Sequence, residues 1–217
     1  MMVVEIRGCG LAGVCVGWWL WRRGVEFCFV GERGRGASWA AAGLMNPVTG
    51  KGMNVSWETG RFLGEAKRFY REVEAELGRE YFRESGVLRV FRSGEEREKF
   101  AGKRGELAEW VGDEFEEVEG VKGGEFGGVC WEGGGWLGVR DFVRDSLAFF
   151  GEGASGEGPV VFCEGAKGLR EGPFSFLPTR LAKGEILTLR GPGWGEERIL
   201  NRGGWVIPLG EDLYRVG

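Results

Sequence analysis

The sequence of 217 residues contains no histidine and no glutamine. The absence of histidine excludes Ser-His-Asp triads, imidazole metal ligands and imidazole acid–base catalysis within this chain. Positive charge is not in excess either, since the formal net charge is −4, which provides no general field for nucleic acid or an anionic membrane. We therefore expect neither nucleic acid nor a membrane among its partners.

Cysteine is scarce and shows no metal-binding spacing. The cysteines are Cys9, Cys15, Cys28, Cys130 and Cys163. Their odd number, the absence of Cys-x-x-Cys and the apolar runs around four of them favour reduced, mostly buried thiols in a cytoplasmic protein, with no metal site. No apolar run is long enough to span a bilayer, and charged residues near the start leave no signal-peptide core.

Glycine, in contrast, is abundant, at 43 of 217 residues, and apolar residues make up 42% of the chain. That apolar content can build the core of one large domain or of two interleaved ones. At this glycine content an isolated glycine pair has little meaning, so only a defined spacing between recognisable elements is informative.

The N-terminal residues have such a spacing. The pattern predicts a strand at Val3–Ile6, a helix at Val14–Arg23 and a second strand at Val25–Val30. Between the first strand and the helix lies Gly8-Cys9-Gly10-Leu11-Ala12-Gly13. Gly-x-Gly-x-x-Gly at this place is typical of a dinucleotide site, because the glycines allow a tight turn and close approach to a diphosphate, and the helix N-terminus offers free amides. We predict that Gly8, Gly10, Leu11, Ala12 and Gly13 bind a cofactor; a chance glycine turn is the alternative.

The acid that binds ribose in such sites is displaced in this sequence. About 20 residues after the turn, where that acid is expected, stands Gly31, and a carboxylate follows as Glu32 beside Arg33. Either the strand is shifted by one residue and Glu32 contacts the ribose, with Arg33 beside it, or Glu32 is a solvated loop charge.

The rest of the chain alternates between helical and extended patterns. Helices are predicted at Thr59–Leu77 and Val139–Phe150, and a polar helix from the capping box Ser93-Gly94-Glu95-Glu96 to about Trp110. Residues 111–138 are predicted as loops with one hairpin, and residues 151–158 as a glycine-rich break. Further strands are predicted at Val87–Phe91, Val160–Cys163, Glu185–Leu189, Trp205–Leu209 and Leu213–Val216.

A longer stretch carries a family resemblance. It reads Gly36-Ala37-Ser38-Trp39-Ala40-Ala41-Ala42-Gly43-Leu44-Met45-Asn46-Pro47-Val48-Thr49-Gly50-Lys51. Together with the glycine turn, it resembles the FAD-dependent oxidoreductases of the D-amino acid oxidase and glycine oxidase family. The strand that ends Cys163-Glu164-Gly165 and the Lys183-Gly184-Glu185 segment resemble the same family.

The resemblance implies FAD as cofactor, and oxidation of a small amine or amino acid by hydride transfer to flavin N5. It implies that Ser38, Ala41, Ala42, Gly43, Leu44, Cys163 and Gly165 also bind the cofactor. Ser38 could equally cap a short helix. For Ala40, Ala41 and Ala42 the alternative is plain helix packing, but the Leu-Met-Asn-Pro-Val-Thr-Gly segment that follows favours contact with the flavin. Arg180 and Lys183 could bind an anion or be surface charges. No catalytic residue is identified.

The expected fold is α/β, with a Rossmann-like FAD-binding sheet interleaved with a smaller antiparallel substrate sheet. We predict an FAD-binding subdomain over 1–57 and 139–172, and an incomplete substrate subdomain over 58–138 and 173–217. Family members continue with a flavin-covering segment, so we expect this chain to be a C-terminally truncated fragment. An NAD(P)-binding Rossmann protein and an inactive dinucleotide-binding fragment are the alternatives, and the oligomeric state is not predicted.

Overall fold

The computed structural model describes residues 2–153, 156–192 and 195–217. Residues 154 and 155 of the predicted glycine-rich break lie outside them. The strands are β1 Val4–Arg7, β2 Phe27–Val30, β3 Leu44–Met45, β4 Val48–Thr49, β5 Asn54–Val55, β6 Phe82–Glu84, β7 Val87–Val90, β8 Val111–Phe115, β9 Gly128–Trp131, β10 Gly135–Leu137, β11 Val160–Phe162, β12 Leu187–Arg190, β13 Ile199–Asn201, β14 Trp205–Gly210 and β15 Leu213–Val216. The helices are α1 Leu11–Trp21, α2 Ala37–Ala40, α3 Thr59–Leu77, α4 Gly94–Lys103, α5 Val139–Phe150 and α6 Ala166–Arg170, with short 3₁₀ turns at Ala108–Trp110 and Gly124–Phe126.

The chain forms two compact units, each built from separate stretches of sequence. The first contains Met1–Ala41, Glu72–Tyr81 and Gly138–Gly184. The second contains Ala42–Arg71, Phe82–Leu137 and Glu185–Gly217. The assignment of an FAD-binding role to one subdomain and a substrate role to the other stays a prediction.

The first unit contains a three-stranded parallel sheet. Its strand order is β11-β1-β2, and Ile6 of β1 lies between Phe29 and Val161. Trp18 of α1 is fully buried, and its Nε1 donates a hydrogen bond of 2.9 Å to the hydroxyl of Ser146 in α5. This buried bond joins α1 to α5.

The first strand–helix–strand unit is therefore confirmed, with shifted bounds. Helix α1 begins at Leu11 instead of the predicted Val14 and ends at Trp21. Gly10 is its N-cap, and the carbonyl of Gly10 accepts the first helical bond, from the amide of Val14 at 3.0 Å. The turn residues Leu11 to Gly13 thus belong to the first turn of the helix, which directs their amides outward from its N-terminus.

The second unit is dominated by a seven-stranded sheet of order β12-β15-β14-β13-β7-β9-β8. Every pair in it is antiparallel except β13 with β7, which run parallel. Its core includes Val87, Trp131, Ile199 and Ile207, all fully buried. The α/β fold class is confirmed, although this sheet is the larger of the two instead of the smaller.

Residues 111–138 differ most from the prediction of loops with one hairpin. They contain β8 and β9, which pair in the seven-stranded sheet, and β10, which lies between β3 and β6 in a separate sheet. Strand β13 was also not predicted. These strands are short and contain glycine or charged residues, so their pairing with distant strands determines them more than local propensity does.

The two long helices are confirmed at the predicted bounds, Thr59–Leu77 and Val139–Phe150. The polar helix α4 ends at Lys103 instead of near Trp110. Ser93 is its N-cap and accepts from the amide of Glu96 at 3.4 Å, as a capping box requires. The Glu96 carboxylate accepts instead from the amide of Arg92, at 2.8 Å, so only half of the box forms.

Candidate functional site

The glycine turn lies at the carboxyl end of β1, where ligands of parallel α/β sheets bind. Gly8 has a φ of 117°, and its amide donates to the carbonyl of Val30 at 2.8 Å. A Cβ on Gly8 would collide with the carbonyl of Cys163, whose own amide donates to Arg7 at 2.7 Å. The structure therefore brings Cys163 to the turn through its backbone.

The other two motif glycines also make close contacts. A Cβ on Gly13 would overlap the carbonyl of Gly8 and lie 3.3 Å from Cγ2 of Ile6. A Cβ on Gly10 would lie 2.9 Å from Oγ of Ser38. Gly13 thus permits α1 to pack against β1, and Gly10 leaves room for Ser38 beside the helix N-terminus.

Ser38 does not cap the short helix that contains it. The N-cap of α2 is Gly36, which makes no side-chain bond, and Ser38 lies within the helix. Its hydroxyl accepts instead from the amide of Leu11, at 3.0 Å. The capping alternative is therefore wrong, and the structure places Ser38 at the N-terminus of α1.

The N-terminus of α1 fits the diphosphate of a dinucleotide. Within the described residues, the amides of Ala12 and Gly13 have no hydrogen-bond partner. The first turn contains no acidic residue, so nothing there repels an anion. Free amides at the positive end of a helix dipole are the donors that phosphates bind. The residues present thus satisfy the requirements of the cofactor's phosphates.

Glu32 and Arg33 lie just beyond β2 and are both exposed. Glu32 forms an ion pair of 3.1 Å with Arg35, and 73% of the Glu32 side chain is exposed. Arg33 donates to the carbonyl of Gly151 at 3.0 Å. The contact of Glu32 with ribose stays a prediction, since its carboxylate makes only a surface ion pair here.

Gly31 explains why no acid stands at the expected position. It has a φ of 141°, and a Cβ on it would lie 3.5 Å from Cα of Gly8. A side chain at this position would adopt an unfavourable backbone conformation and contact the turn. The sequence signal of this constraint is a glycine directly after a β-rich run.

Cys9 lies within the turn and is buried, and its thiol donates to the carbonyl of Gly31 at 3.5 Å. Burial raises the pKa of Cys9, and the nearby charge of Arg33 opposes this shift. Burial also raises the pKa of Cys163. These thiols are thus poor nucleophiles at neutral pH, and the contribution of Cys163 to the turn comes from its main chain.

The small-residue segment is divided at the end of α2. Ala41 is the C-cap of α2 and is extended, so of the three consecutive alanines only Ala40 is helical. Ala42 is buried in the second unit. Gly43 has a φ of 77°, a Cβ on it would overlap the carbonyl of Leu137, and its own carbonyl accepts from the amide of Leu137 at 2.9 Å. Plain helix packing does not account for these residues.

Leu44 pairs with Trp136 across β3 and β10. Gly165, with a φ of 57°, is the exposed N-cap of α6. Cofactor binding by Leu44 and Gly165 stays a prediction. Arg180 and Lys183 are exposed.

Trp39 lies at the candidate site but is not marked by any sequence pattern. Its Nε1 is buried and has no hydrogen-bond partner within the described residues, and the guanidinium of Arg140 lies 5.8 Å from its ring centroid. It directly follows Ser38. No spacing rule marks such a tryptophan in a chain with ten of them.

Within residues 2–153, 156–192 and 195–217, no group of three or more potential metal-ligating side chains is positioned to hold an ion. In the same part of the chain, no helix has the length and apolar character that crossing a bilayer requires.

Comparison with known proteins identifies the family. The family model described as "FAD dependent oxidoreductase" matches residues 4–148, about two-thirds of the chain. The fold is similar to glycine oxidase from Geobacillus kaustophilus (TM-score 0.77, 20% identity), with 100% of this chain and 71% of that chain covered. It is also similar to glycine oxidase from Bacillus cereus ATCC 14579 (TM-score 0.77, 19% identity, 99% and 71% covered).

A third similar structure is iminodiacetate oxidase (IdaA) from Chelativorans sp. BNC1, with a TM-score of 0.69 and 14% identity over 99% of this chain and 70% of that chain. At such identities these structures support the fold, and the family match supports the cofactor. The glycine turn, its helix and the matched residues lead to one assignment: this chain belongs to the FAD-dependent oxidoreductase family, and its cofactor is FAD.

Proposed function

We propose that this protein oxidises a small amine or amino acid with FAD. The observation that supports the proposal most is the turn at the end of β1. Two amides of α1 there have no partner among the described residues, and a Cβ on Gly8 or Gly13 would overlap a main-chain carbonyl. The family match over residues 4–148 covers this turn.

The cofactor's flavin, when bound, accepts a hydride from the carbon that bears the amine. The residues of this chain contribute binding and orientation. We propose that the amides of Ala12 and Gly13 bind the diphosphate, that Glu32 and Arg33 contact the ribose side, and that Ser38 fixes the amide of Leu11. The small residues Ala41 to Leu44 and the main chain at Cys163 and Gly165 complete the proposed set.

The absence of histidine agrees with this reaction type. Oxidation of a neutral amine depends on positioning and electrostatics, so a dedicated imidazole base is not required. It follows that no residue of this chain is assigned as a general base.

The names of similar structures support the substrate class. The similar structures named above are glycine oxidases and an iminodiacetate oxidase. Their names state glycine and iminodiacetate as what those proteins oxidise. We propose the same class here, with the 1–57 and 139–172 stretches as FAD-binding and 58–138 and 173–217 as substrate-binding, and a cytoplasmic location in line with five free cysteines.

The test is a titration of the purified chain with FAD, monitored by quenching of flavin fluorescence, with FMN and NADH as controls. We expect saturable quenching with FAD and weaker binding of FMN, which lacks the adenosine monophosphate half and so has no diphosphate. Glycine, sarcosine, iminodiacetate, L-proline and D- or L-amino acids are then added anaerobically, and bleaching of the flavin absorbance identifies the substrate. Binding of NADH without FAD would contradict the proposal.

A further inference from the structure

Two arginines project from one face of the seven-stranded sheet, on strands that are far apart in sequence. Arg89 lies in β7, in register with Asn201 of β13. Asn201 pairs with Trp205, two residues before Ile207, and Ile207 pairs with Arg215 of β15. Because paired residues share a face and alternate residues along a strand do too, both arginines lie on the face that buries Ile207.

Each arginine donates to a main-chain carbonyl of the same short segment. Nη1 of Arg215 donates to the carbonyl of Ala42 at 3.2 Å. Nη1 of Arg89 donates to the carbonyl of Gly50 at 3.1 Å. The segment 42–50 is thus attached to the sheet at both of its ends, and it lies within the stretch that resembles the flavin-adjacent part of the family.

The segment has little regular structure of its own to hold it. Its strands β3 and β4 are each two residues long, and β4 pairs only with β5 in a two-stranded sheet. Such a hairpin is marginal by itself in water. Side-chain donors therefore supply main-chain bonds that a longer ladder would otherwise provide.

Arg89 is itself held rigidly. Its Nη2 forms an ion pair with the Glu96 carboxylate of α4, and both side chains are about nine-tenths buried. Glu96 also accepts from the amide and Nε of Arg92, at 2.8 and 3.2 Å. A guanidinium fixed in this way is a well-oriented donor, since charge-assisted bonds are short and directional.

We propose that Arg89 and Arg215 are positioning residues, which fix the backbone of Ala42–Gly50 against the sheet and so determine how this segment meets the flavin. The second half of this inference rests on the proposed function. The first half, the attachment of the segment, does not depend on a cofactor.

Hydrogen–deuterium exchange of the full chain tests the attachment, in variants Arg89→Met and Arg215→Met, with Arg190→Met as control. Arg190 is an exposed arginine of β12 in the same sheet. Loss of a charge-assisted bond raises local opening by about 10-fold or more. We expect that increase for peptides covering 42–50 in both variants, unchanged exchange in β1 and β11, and no change with Arg190→Met.

If the methionine variants do not fold, the conservative variants Arg89→Lys and Arg215→Lys replace them in the exchange experiment. Lysine keeps the charge but donates as a point charge instead of a planar fork, so we expect a smaller rise in exchange over 42–50. Unchanged exchange there in the folded variants would overturn the attachment.

The flavin spectrum separates this inference from the proposed function. We compare the wild type and the variants, each loaded with FAD. We expect the bound flavin's absorbance bands to differ in shape between Arg215→Met and wild type, and Arg215→Lys to restore the wild-type shape in part. If wild type does not bind FAD while exchange rises as stated, the proposed function fails and the attachment stands. If FAD binds and the bands are identical in all variants, the positioning role fails.

Discussion

At the scale of single residues, hydrogen bonds between buried polar groups hold distant elements together, because an unpaired buried polar group is costly. Trp18 and Ser146 satisfy each other inside the first unit, and both are fully buried. Glu96 and Arg89 do the same inside the second. Neither pair follows from local sequence pattern, since the partners lie on different elements.

Ser146→Ala leaves the indole nitrogen of Trp18 buried without an acceptor. We expect the free energy of unfolding to fall by about 1–3 kcal/mol, measured by urea denaturation. Ser175→Ala, at an exposed position, should change it by less than about 0.5 kcal/mol. Equal stability of the two variants would contradict the importance of this bond.

Glu96 makes stability depend on pH. Burial raises the pKa of Glu96, but bonds from Arg89 and Arg92 outweigh it, so the net pKa is below the ordinary value of 4.5. A depressed carboxyl pKa contributes stability that is present above the unfolded pKa and is lost as pH falls through the folded one. We expect Glu96→Gln to lower unfolding free energy by about 3 kcal/mol at pH 7.

That difference should shrink below about pH 4.5 in urea denaturation series at several pH values. Glu98→Gln, an exposed residue of the same helix, is the control and should show no such pH dependence. A constant difference between wild type and Glu96→Gln from pH 7 to pH 3.5 would contradict the assignment.

At the scale of elements, glycine has opposite effects in different helices. Gly13 faces β1, where a Cβ would overlap the Gly8 carbonyl, whereas Gly64 in α3 is exposed with no atom within 4 Å of a Cβ. A glycine in an open helical position only weakens the helix, while one at a close contact permits packing.

The matched pair Gly13→Ala and Gly64→Ala tests this contrast. We expect Gly13→Ala to destabilise by about 1–3 kcal/mol through overpacking, and to weaken FAD binding. Gly64→Ala should stabilise by about 0.5–1 kcal/mol. Thermal unfolding of both variants checks the signs, and a destabilised Gly64→Ala would contradict the open position described for Gly64.

Elements with a strong apolar period were predictable from sequence. Thr59–Leu77 and Val139–Phe150 were predicted at their observed bounds, because one face of each is apolar at helical spacing. Strand β13 was not, since its pairing with β7 is decided by residues far away in sequence. In the candidate site, the glycine turn was predictable from spacing, whereas the approach of Cys163 to Gly8 depends on tertiary structure.

At the scale of the whole molecule, the cysteines report on folding. Burial raises the pKa of Cys15 to about 12, with a smaller contribution from nearby Cys163, and burial, with Glu132, raises the pKa of Cys130 to about 11. Thiolates are the reactive form, so these two thiols are nearly inert at pH 8.

We expect alkylation at pH 8 to modify Cys15 and Cys130 far more slowly in the native protein than in denaturant, where all five cysteines react. Mass spectrometry of digested samples identifies each site. Modification of native Cys15 at the rate of an unfolded peptide would contradict its burial.

The meeting of Gly8 with Cys163 also has a consequence for synthesis. Strand β1 and helix α1 leave the ribosome early. Cys163, whose main chain contacts the turn at Gly8 and Arg7, is synthesised much later. Contacts between such distant residues form slowly. A nascent chain can therefore assemble β1, α1 and β2 while the glycine turn still lacks its contact with Cys163, and the turn is completed only when β11 joins the sheet.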